Sequence, residues 1–287
     1  MSFTRKRIDV TISLGTGQFG DTGADTVTLT GLRVQAAIAV PGGDAMGVCQ
    51  ARIFGLPISM INQLTTVGPI NTAIRAQNSI LLAAGDDETG LQTAYAGTIG
   101  EAWGELQGAP EVPFNVIGFA GLIAAVKPVG ALSFQGSVDA ATIMSGLADT
   151  MGLTFENNGV SVQLSNPYFP GTALDQVRAC ARAADILYVI DRNVLAIWPK
   201  DGQRGGDVPL ISPDTGMIGY PTFSSNGLGV TSFYNPAIKP GGTIQVKSSL
   251  PVACGMWNVF NLNHNIESET PDGAWFTTLS AYPKNGQ

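Results

Sequence analysis

The stretch Ile211–Ser249, ISPDTGMIGYPTFSSNGLGVTSFYNPAIKPGGTIQVKSS, decides how this chain is read. Pro213, Gly216, Gly219, Pro221, Gly227, Gly229, Pro236, Pro240, Gly241 and Gly242 cut it into short β-prone runs such as Leu228–Tyr234 and Thr243–Val246. Glycine and proline do this because they supply turn conformations that interrupt regular structure. Nothing in the stretch has the form of a nucleophile, a metal-ligand set or a phosphate cradle. It reads as β architecture. Tyr220, Pro221, Asn235 and Pro236 are expected to shape its loops and are candidates, with Gly219, for contact with another chain, and Gly219 and Gly227 are candidate positions for a positive φ.

Outward from that stretch the pattern stays β. Trp275–Tyr282 and Met256–Leu262 read as partner strands across Glu267–Gly273, with Trp275 a further structural or interface candidate. Near the start, Ile8–Leu14 alternates apolar and polar residues as a half-buried strand does. The following Gly15-Thr16-Gly17-Gln18-Phe19-Gly20 matches the GxGxxG dinucleotide fingerprint in letters only. That fingerprint needs a helix to open at its last glycine, and Thr26–Leu29 reads as a strand instead, so a glycine-rich hairpin is expected. Leu32–Val40 and Gly47–Phe54 are further strands, and Pro57–Thr66 makes a short helix stopped by Gly68-Pro69. Asn78–Ala84 and Leu91–Ile99 form a hairpin whose acidic tip, Asp86-Asp87-Glu88, reads as a solvated turn. Val116–Val126 reads as a buried strand. So many short strands suggest a closed barrel or a sandwich.

The middle of the chain changes period. From Ser137, read as an N-cap, Val138, Ile143, Met144, Leu147 and Met151 follow a helical rhythm to Gly152. Leu153–Phe155 and Val160–Leu164 flank Asn158-Gly159, the preferred sequence of a tight hairpin. The order then repeats. Thr172 with Asp175 opens a second helix as a capping box, and Ile186–Ile190 and Val194–Trp198 flank Asp191-Arg192-Asn193. Lys200–Pro209, KDGQRGGDVP, is polar enough to read as a linker. The expected fold class is mainly β with a small α+β domain: residues 1–126 a first β domain, 127–200 a domain of two helix-hairpin units, and 201–287 a second β domain.

Composition bounds the function. Of 287 residues 44% are apolar but only 13% are charged, against ~25% in ordinary soluble domains. Depletion of charge marks the buried centre of protein interfaces, so an obligate assembly is expected, with a neutral monomer as the alternative. A net charge of −7 argues against a general nucleic-acid surface. The basic cluster Arg5-Lys6-Arg7 reads as the solvated start of a strand. Cys49, Cys180 and Cys254 lie far apart and exclude a disulfide framework. No apolar run approaches the ~20 residues of a membrane helix, and the N-terminus lacks the apolar core of a signal peptide. His264 is the only histidine, without a GxSxG or HExxH motif, so no catalytic residue, metal or cofactor is expected.

The segments GLRVQAAI, ARIFGLPISMINQLTT, AGDDETGLQTAYAGTIGEAW, FENNGVSVQLSNPYFPGT, GMIGYPTF, SFYNPAIKPGG and HNIESETPDGAWFTTLSAY, in this order, resemble baseplate hub proteins of contractile-tailed bacteriophages. These are the hubs of T4-type and Mu-type tails, related to the N-terminal part of type VI secretion spike proteins. The resemblance implies two tail-tube-like β-barrels flanking the mixed domain. It also implies a homotrimer that joins the sixfold tail tube to the threefold central spike. The implied partners are the tube protein, the spike, the tape-measure protein and baseplate wedge proteins, with DNA only passing along an axial channel. The implied location is the virion, and the host cytoplasm during assembly. A tail-associated peptidoglycan hydrolase and a carbohydrate- or receptor-binding β module are the alternatives.

Overall fold

A computed structural model describes residues 4–20, 22–67 and 77–284. In chain order the elements of the first part are β1 (Lys6–Ser13), β2 (Thr26–Leu29), β3 (Val34–Val40), β4 (Val48–Phe54), α1 (Ile58–Leu64), β5 (Ser79–Asp86), β6 (Gly90–Gly104), β7 (Pro113–Phe119) and α2 (Leu122–Val126). The middle holds β8 (Leu132–Ser133), β9 (Ser137–Asp139), α3 (Ala140–Met151), β10 (Thr154–Asn157), β11 (Gln163–Ser165), β12 (Tyr168–Phe169), α4 (Ala173–Ala184), β13 (Ile186–Asp191) and β14 (Val194–Pro199). The last part holds β15 (Leu210–Ile211), β16 (Met217–Ser224), β17 (Gly227–Phe233), β18 (Thr243–Val246), β19 (Gly255–Ser268) and β20 (Trp275–Pro283). The chain is mainly β, as its turn chemistry predicts, and most predicted strands are present. The Gly68-Pro69 stop lies outside the described residues.

Packing divides the chain into two compact units that do not follow chain order. The first comprises residues 1–39, 47–123 and 264–275; the second comprises 40–46, 124–263 and 276–287. In the first unit an antiparallel ladder runs β2-β1-β5-β6-β7-β4-β3 and ends on the last residues of β19. Alternation sets its core: Ile8, Val10 and Ile12 of β1 are buried while Asp9 and Thr11 are not. Each such apolar burial contributes about 1.5–3 kcal/mol. At the far edge β2 pairs only with β1 among the described residues.

In the second unit the ladder runs β16-β17-β20-β19, and β18 adds to β19 while β15 runs parallel to β18. The helices α3 and α4 pack beside a small sheet of order β10-β14-β13. The Thr172–Asp175 capping box opens α4, Gly152 closes α3 in the left-handed conformation, and β13 and β14 form the expected hairpin over Arg192 and Asn193.

Three local expectations are corrected. Ser137 lies in β9 and Asp139 is the N-cap, its carboxylate accepting from Ala141 N. Val116–Val126 is half strand and half helix, because Gly121 turns the chain at φ 78° and the following Leu-Ile-Ala-Ala-Val winds into α2. Asn158-Gly159 is not a tight hairpin. The strand before it, β10, pairs parallel with β14, and β11 pairs with β9. The Asn157 side chain accepts from Val160 N at 2.8 Å and donates to Val160 O at 3.0 Å, so it satisfies the turn that a hairpin ladder would have satisfied.

Candidate functional site

The opening stretch folds into the hairpin β16–β17 at the outer edge of the second unit's sheet. From Thr215 to Ile238 there is no Asp, Glu, Lys or Arg. β16 pairs with β17 through Met217 and Ile218 and again through Thr222–Ser224, with an irregularity between that holds Gly219, Tyr220 and Pro221. Gly219 has φ 67°, so a positive φ is present there as expected, and no atom lies within 4 Å of the place a Cβ would take. Pro221 is buried and sits where an edge strand tolerates a missing N–H. Beside these residues the edge exposes large apolar side chains: Tyr220 (71%), Phe223 (50%) and Phe233 (38%). Phe233 stacks on Phe276 of β20 at 6.2 Å between ring centroids, and Thr231 and Thr278 share a hydrogen bond of 3.2 Å.

Asn235 and Pro236 follow in the loop after β17. The Asn235 carboxamide accepts from Ala237 N at 2.9 Å, an Asx turn that fixes the loop. Pro236 O accepts from Arg192 Nη1 at 2.8 Å. That arginine belongs to an ionic cluster that the sequence did not reveal. Arg192 Nε donates to Asp191 Oδ2 at 3.0 Å. Arg204 donates from Nε and Nη2 to the two oxygens of Glu156, both at 2.9 Å, and from Nη1 to Asp191 Oδ2 at 3.3 Å. Side-chain exposure is 3% for Arg204, 5% for Asp191 and 30% for Glu156. The reading of Lys200–Pro209 as a linker too polar to pack is therefore corrected, since its arginine is among the most buried charges of the chain. The backbone of the same segment is also held, Arg204 N donating to Gly241 O and Gly205 N to the Asn158 side-chain Oδ1, each at 2.7 Å.

The protonation consequences follow from the geometry. Burial works to raise the Glu156 carboxyl, but the Arg204 hydrogen bonds and charge outweigh it and hold the group below the ordinary glutamate value. Burial works equally against the charged Arg204, and its two carboxylate partners overcome that and hold it above the ordinary arginine value. A bidentate guanidinium–carboxylate pair with a second carboxylate on the third nitrogen is the arrangement that tolerates this burial.

Trp275 directly precedes Phe276, the ring partner of Phe233. It is buried at the start of β20, within the first unit, with the Lys6 ammonium 5.9 Å from its ring centroid. The structure thus places Gly219, Tyr220 and Pro221 together in one irregular edge strand, Asn235 and Pro236 in the loop beyond it, and Trp275 in a different compact unit.

Gly15–Gly20 connects β1 to β2, which pair Ser13 to Thr26, so the glycine-rich segment is a hairpin connection. The Asp86 carboxylate accepts from Glu88 N, Thr89 N and Thr89 Oγ1 and from Lys6 Nζ, which holds it far below the ordinary aspartate value. Arg5, Lys6 and Arg7 are all ion-paired within the first unit, to Glu269, Asp86 and Asp9 with Asp87. Cys49 and Cys180 are buried and Cys254 is exposed. Burial pushes the Cys49 thiol far up and the Cys180 thiol to about 12, the nearby Asp139 charge adding to the latter. Among the described residues no three His, Cys, Asp or Glu side chains converge as metal ligands. No helix there is long and apolar enough to cross a membrane.

Several solved structures share this fold. The tail protein from Neisseria meningitidis MC58 matches with a TM-score of 0.64 at 8% identity, over 96% of each chain. The 43 kDa tail protein of prophage MuSo2 from Shewanella oneidensis matches with 0.60 at 8% identity, over 98% of this chain and 97% of that one. The E. coli c3393 protein, a component of the type VI secretion system, matches with 0.60 at 11% identity, over 89% of this chain and 74% of that one. The search of curated protein sequences finds no match. The model of one protein family, described as baseplate hub gp41, matches residues 7–280. A match that runs across both compact units and every element of the fold leaves one assignment: the chain belongs to the baseplate hub gp41 family, a structural part of a phage tail baseplate in the virion and not an enzyme.

Proposed function

We propose that this chain is the trimeric hub of a contractile phage tail, joining a sixfold tail tube to a threefold central spike and lining the axial channel between them. The observation that carries the reading is the uncharged, aromatic-bearing edge Thr215–Phe233 on a chain whose family is that of baseplate hubs. A surface of that kind is an interface in waiting: charge is depleted and aromatic residues are enriched where proteins associate. Residues 1–126 and 201–287 act as two tube-like barrels around the mixed domain 127–200, so that three copies present six barrels to the tube. The partners on this reading are the tube protein, the spike, the tape-measure protein and the wedge proteins. DNA passes through without being bound, and assembly takes place in the host cytoplasm. Tyr220, Pro221, Asn235 and Pro236 shape the contact loops of the second barrel.

Light scattering coupled to size-exclusion chromatography tests this reading. The expected mass is three times the 29.8 kDa of the chain, alone or once tube and spike proteins are added. A monomer at every concentration and in every such mixture overturns it.

A further inference from the structure

We propose that assembly runs head to tail through two specific strand edges, β16 of one copy against β2 of the next. The inference deepens the hub reading and rests on it. Each edge strand has a ladder partner on one side only among the described residues, β17 for β16 and β1 for β2. Each is free of charge: Thr215–Ile238 around β16, and Thr26–Leu32 around β2, contain no Asp, Glu, Lys or Arg. Soluble proteins blunt such edges with charged side chains, lysine above all, because an open row of N–H and C=O groups recruits another strand. Neither strand carries a charge in a chain with 37 charged residues to place, by the counts of 15 basic and 22 acidic; what blunts them is Pro221 and an irregularity in β16 and the four-residue length of β2, with Asp25 just before it.

The geometry also limits the length of the incoming strand. Pro221 and the irregularity between Ile218 and Thr222 interrupt β16, leaving Thr222–Ser224 as its regular outer portion. A long strand could not run along that edge; a short one can. β2 has four residues, Thr26–Leu29, of which Thr26 and Thr28 are exposed. Phe223, half exposed at the end of β16, supplies apolar area that an uncharged Thr-Val-Thr-Leu partner covers without stranding a charge.

A second copy is the occupant that accounts for both edges at once. A contact between two β16 edges would cover that strand and leave β2 open. A head-to-tail contact consumes one edge of each kind per copy, and when the rotation closes it leaves neither β16 nor β2 open.

Single lysines test the arrangement, because a lysine placed in a paired strand must be desolvated or lose the contact. Thr222→Lys on β16 and Thr28→Lys on β2 are each expected to raise the concentration for half-assembly of the full chain at least about tenfold, read by light scattering or native mass spectrometry. Unchanged circular dichroism and melting must accompany each, and Thr222→Ser and Thr28→Ser serve as neutral variants. The two lysine variants mixed together retain one intact pair of edges, and a two-chain species is expected. A chain carrying Thr222→Lys with Thr28→Glu places opposite charges across the contact and is expected to recover assembly. Wild-type assembly with both lysine variants unaffected overturns the head-to-tail contact while the hub reading stands. Loss with Thr222→Lys alone overturns it also, since β2 then takes no part. A wild-type chain that never assembles removes the hub reading itself.

Discussion

Replacing Arg204 by methionine isolates the energetic role of the ionic cluster. Methionine keeps most of the buried stem, so the loss is that of the guanidinium and not of packing. Two carboxylates lose a partner. Asp191 is 5% exposed but retains Arg192 at 3.0 Å. Glu156 loses both of its bidentate bonds and keeps one from Asn158 Nδ2 at 3.1 Å, with 30% of its side chain open to water. Removing one partner of a fully buried pair costs ~3–5 kcal/mol; the residual partners and the partial hydration bring the expectation to about 2–3 kcal/mol. That corresponds to a fall in melting temperature of about 3–5 °C for a chain of this size. Equilibrium urea unfolding and calorimetry measure it.

The pH dependence gives the sign. The folded Glu156 carboxyl lies below its unfolded value, held there by Arg204 against the cost of burial. Its contribution is present above the unfolded glutamate value and is lost as pH falls through the folded one. The gap between wild type and Arg204→Met should therefore be full near neutrality and shrink in acid. Adding Glu156→Gln to Arg204→Met should cost less than the sum of the single changes by about 1 kcal/mol or more. A neutral-pH loss below ~1 kcal/mol, or a loss that does not depend on pH between neutrality and acid, would refute the assignment of this cluster as a buried tie.

Two further expectations separate neighbouring residues. Gly227 has φ 128° and an added Cβ there would run into the backbone carbonyl oxygen of Ala281, whereas Gly219 at φ 67° faces open space. Gly219→Ala should thus cost only the ~1–2 kcal/mol of a left-handed residue, while Gly227→Ala should disrupt the β17–β20 ladder and reduce the soluble yield; equal melting temperatures for the two would contradict this. Of the three thiols only Cys254 is exposed, its Sγ donating to Ser248 O at 3.2 Å. One equivalent of a thiol reagent should react with the native chain and three after denaturation, and rapid native labelling of Cys49 or Cys180 would show that their burial is wrongly assigned.

The features legible in sequence are those settled within a few residues. Thr172 and Asp175 announce the start of α4 because both halves of a capping box lie one turn apart, and both are made. Gly152 announces the end of α3 because only a residue tolerant of left-handed φ closes it there. Thr26–Leu29 excludes the dinucleotide reading of Gly15–Gly20 because a strand cannot present a helix terminus to a phosphate. The dense glycines and prolines of Ile211–Ser249 likewise announce its β architecture, although the edge position of β16 comes only from the folded sheet.

Other features wait on distant partners. Asn158-Gly159 has the letters of a hairpin, yet β10 pairs in parallel with β14, some forty residues on. Local turn preference yields to the longer ladder and to the burial it brings. Nothing in KDGQRGGDVP identifies Arg204 as buried. Desolvating a guanidinium is unfavourable until Glu156, 48 residues away, and Asp191, 13 residues away, are brought onto it, and that is decided only when the second unit closes. His264–Trp275 likewise packs with the first unit although it lies near the end of the chain. Short-range chemistry thus specified the strands, caps and turns of this hub-family protein. Which strands pair, which charge is buried and which residues share a core depended on surfaces that exist only in the folded chain.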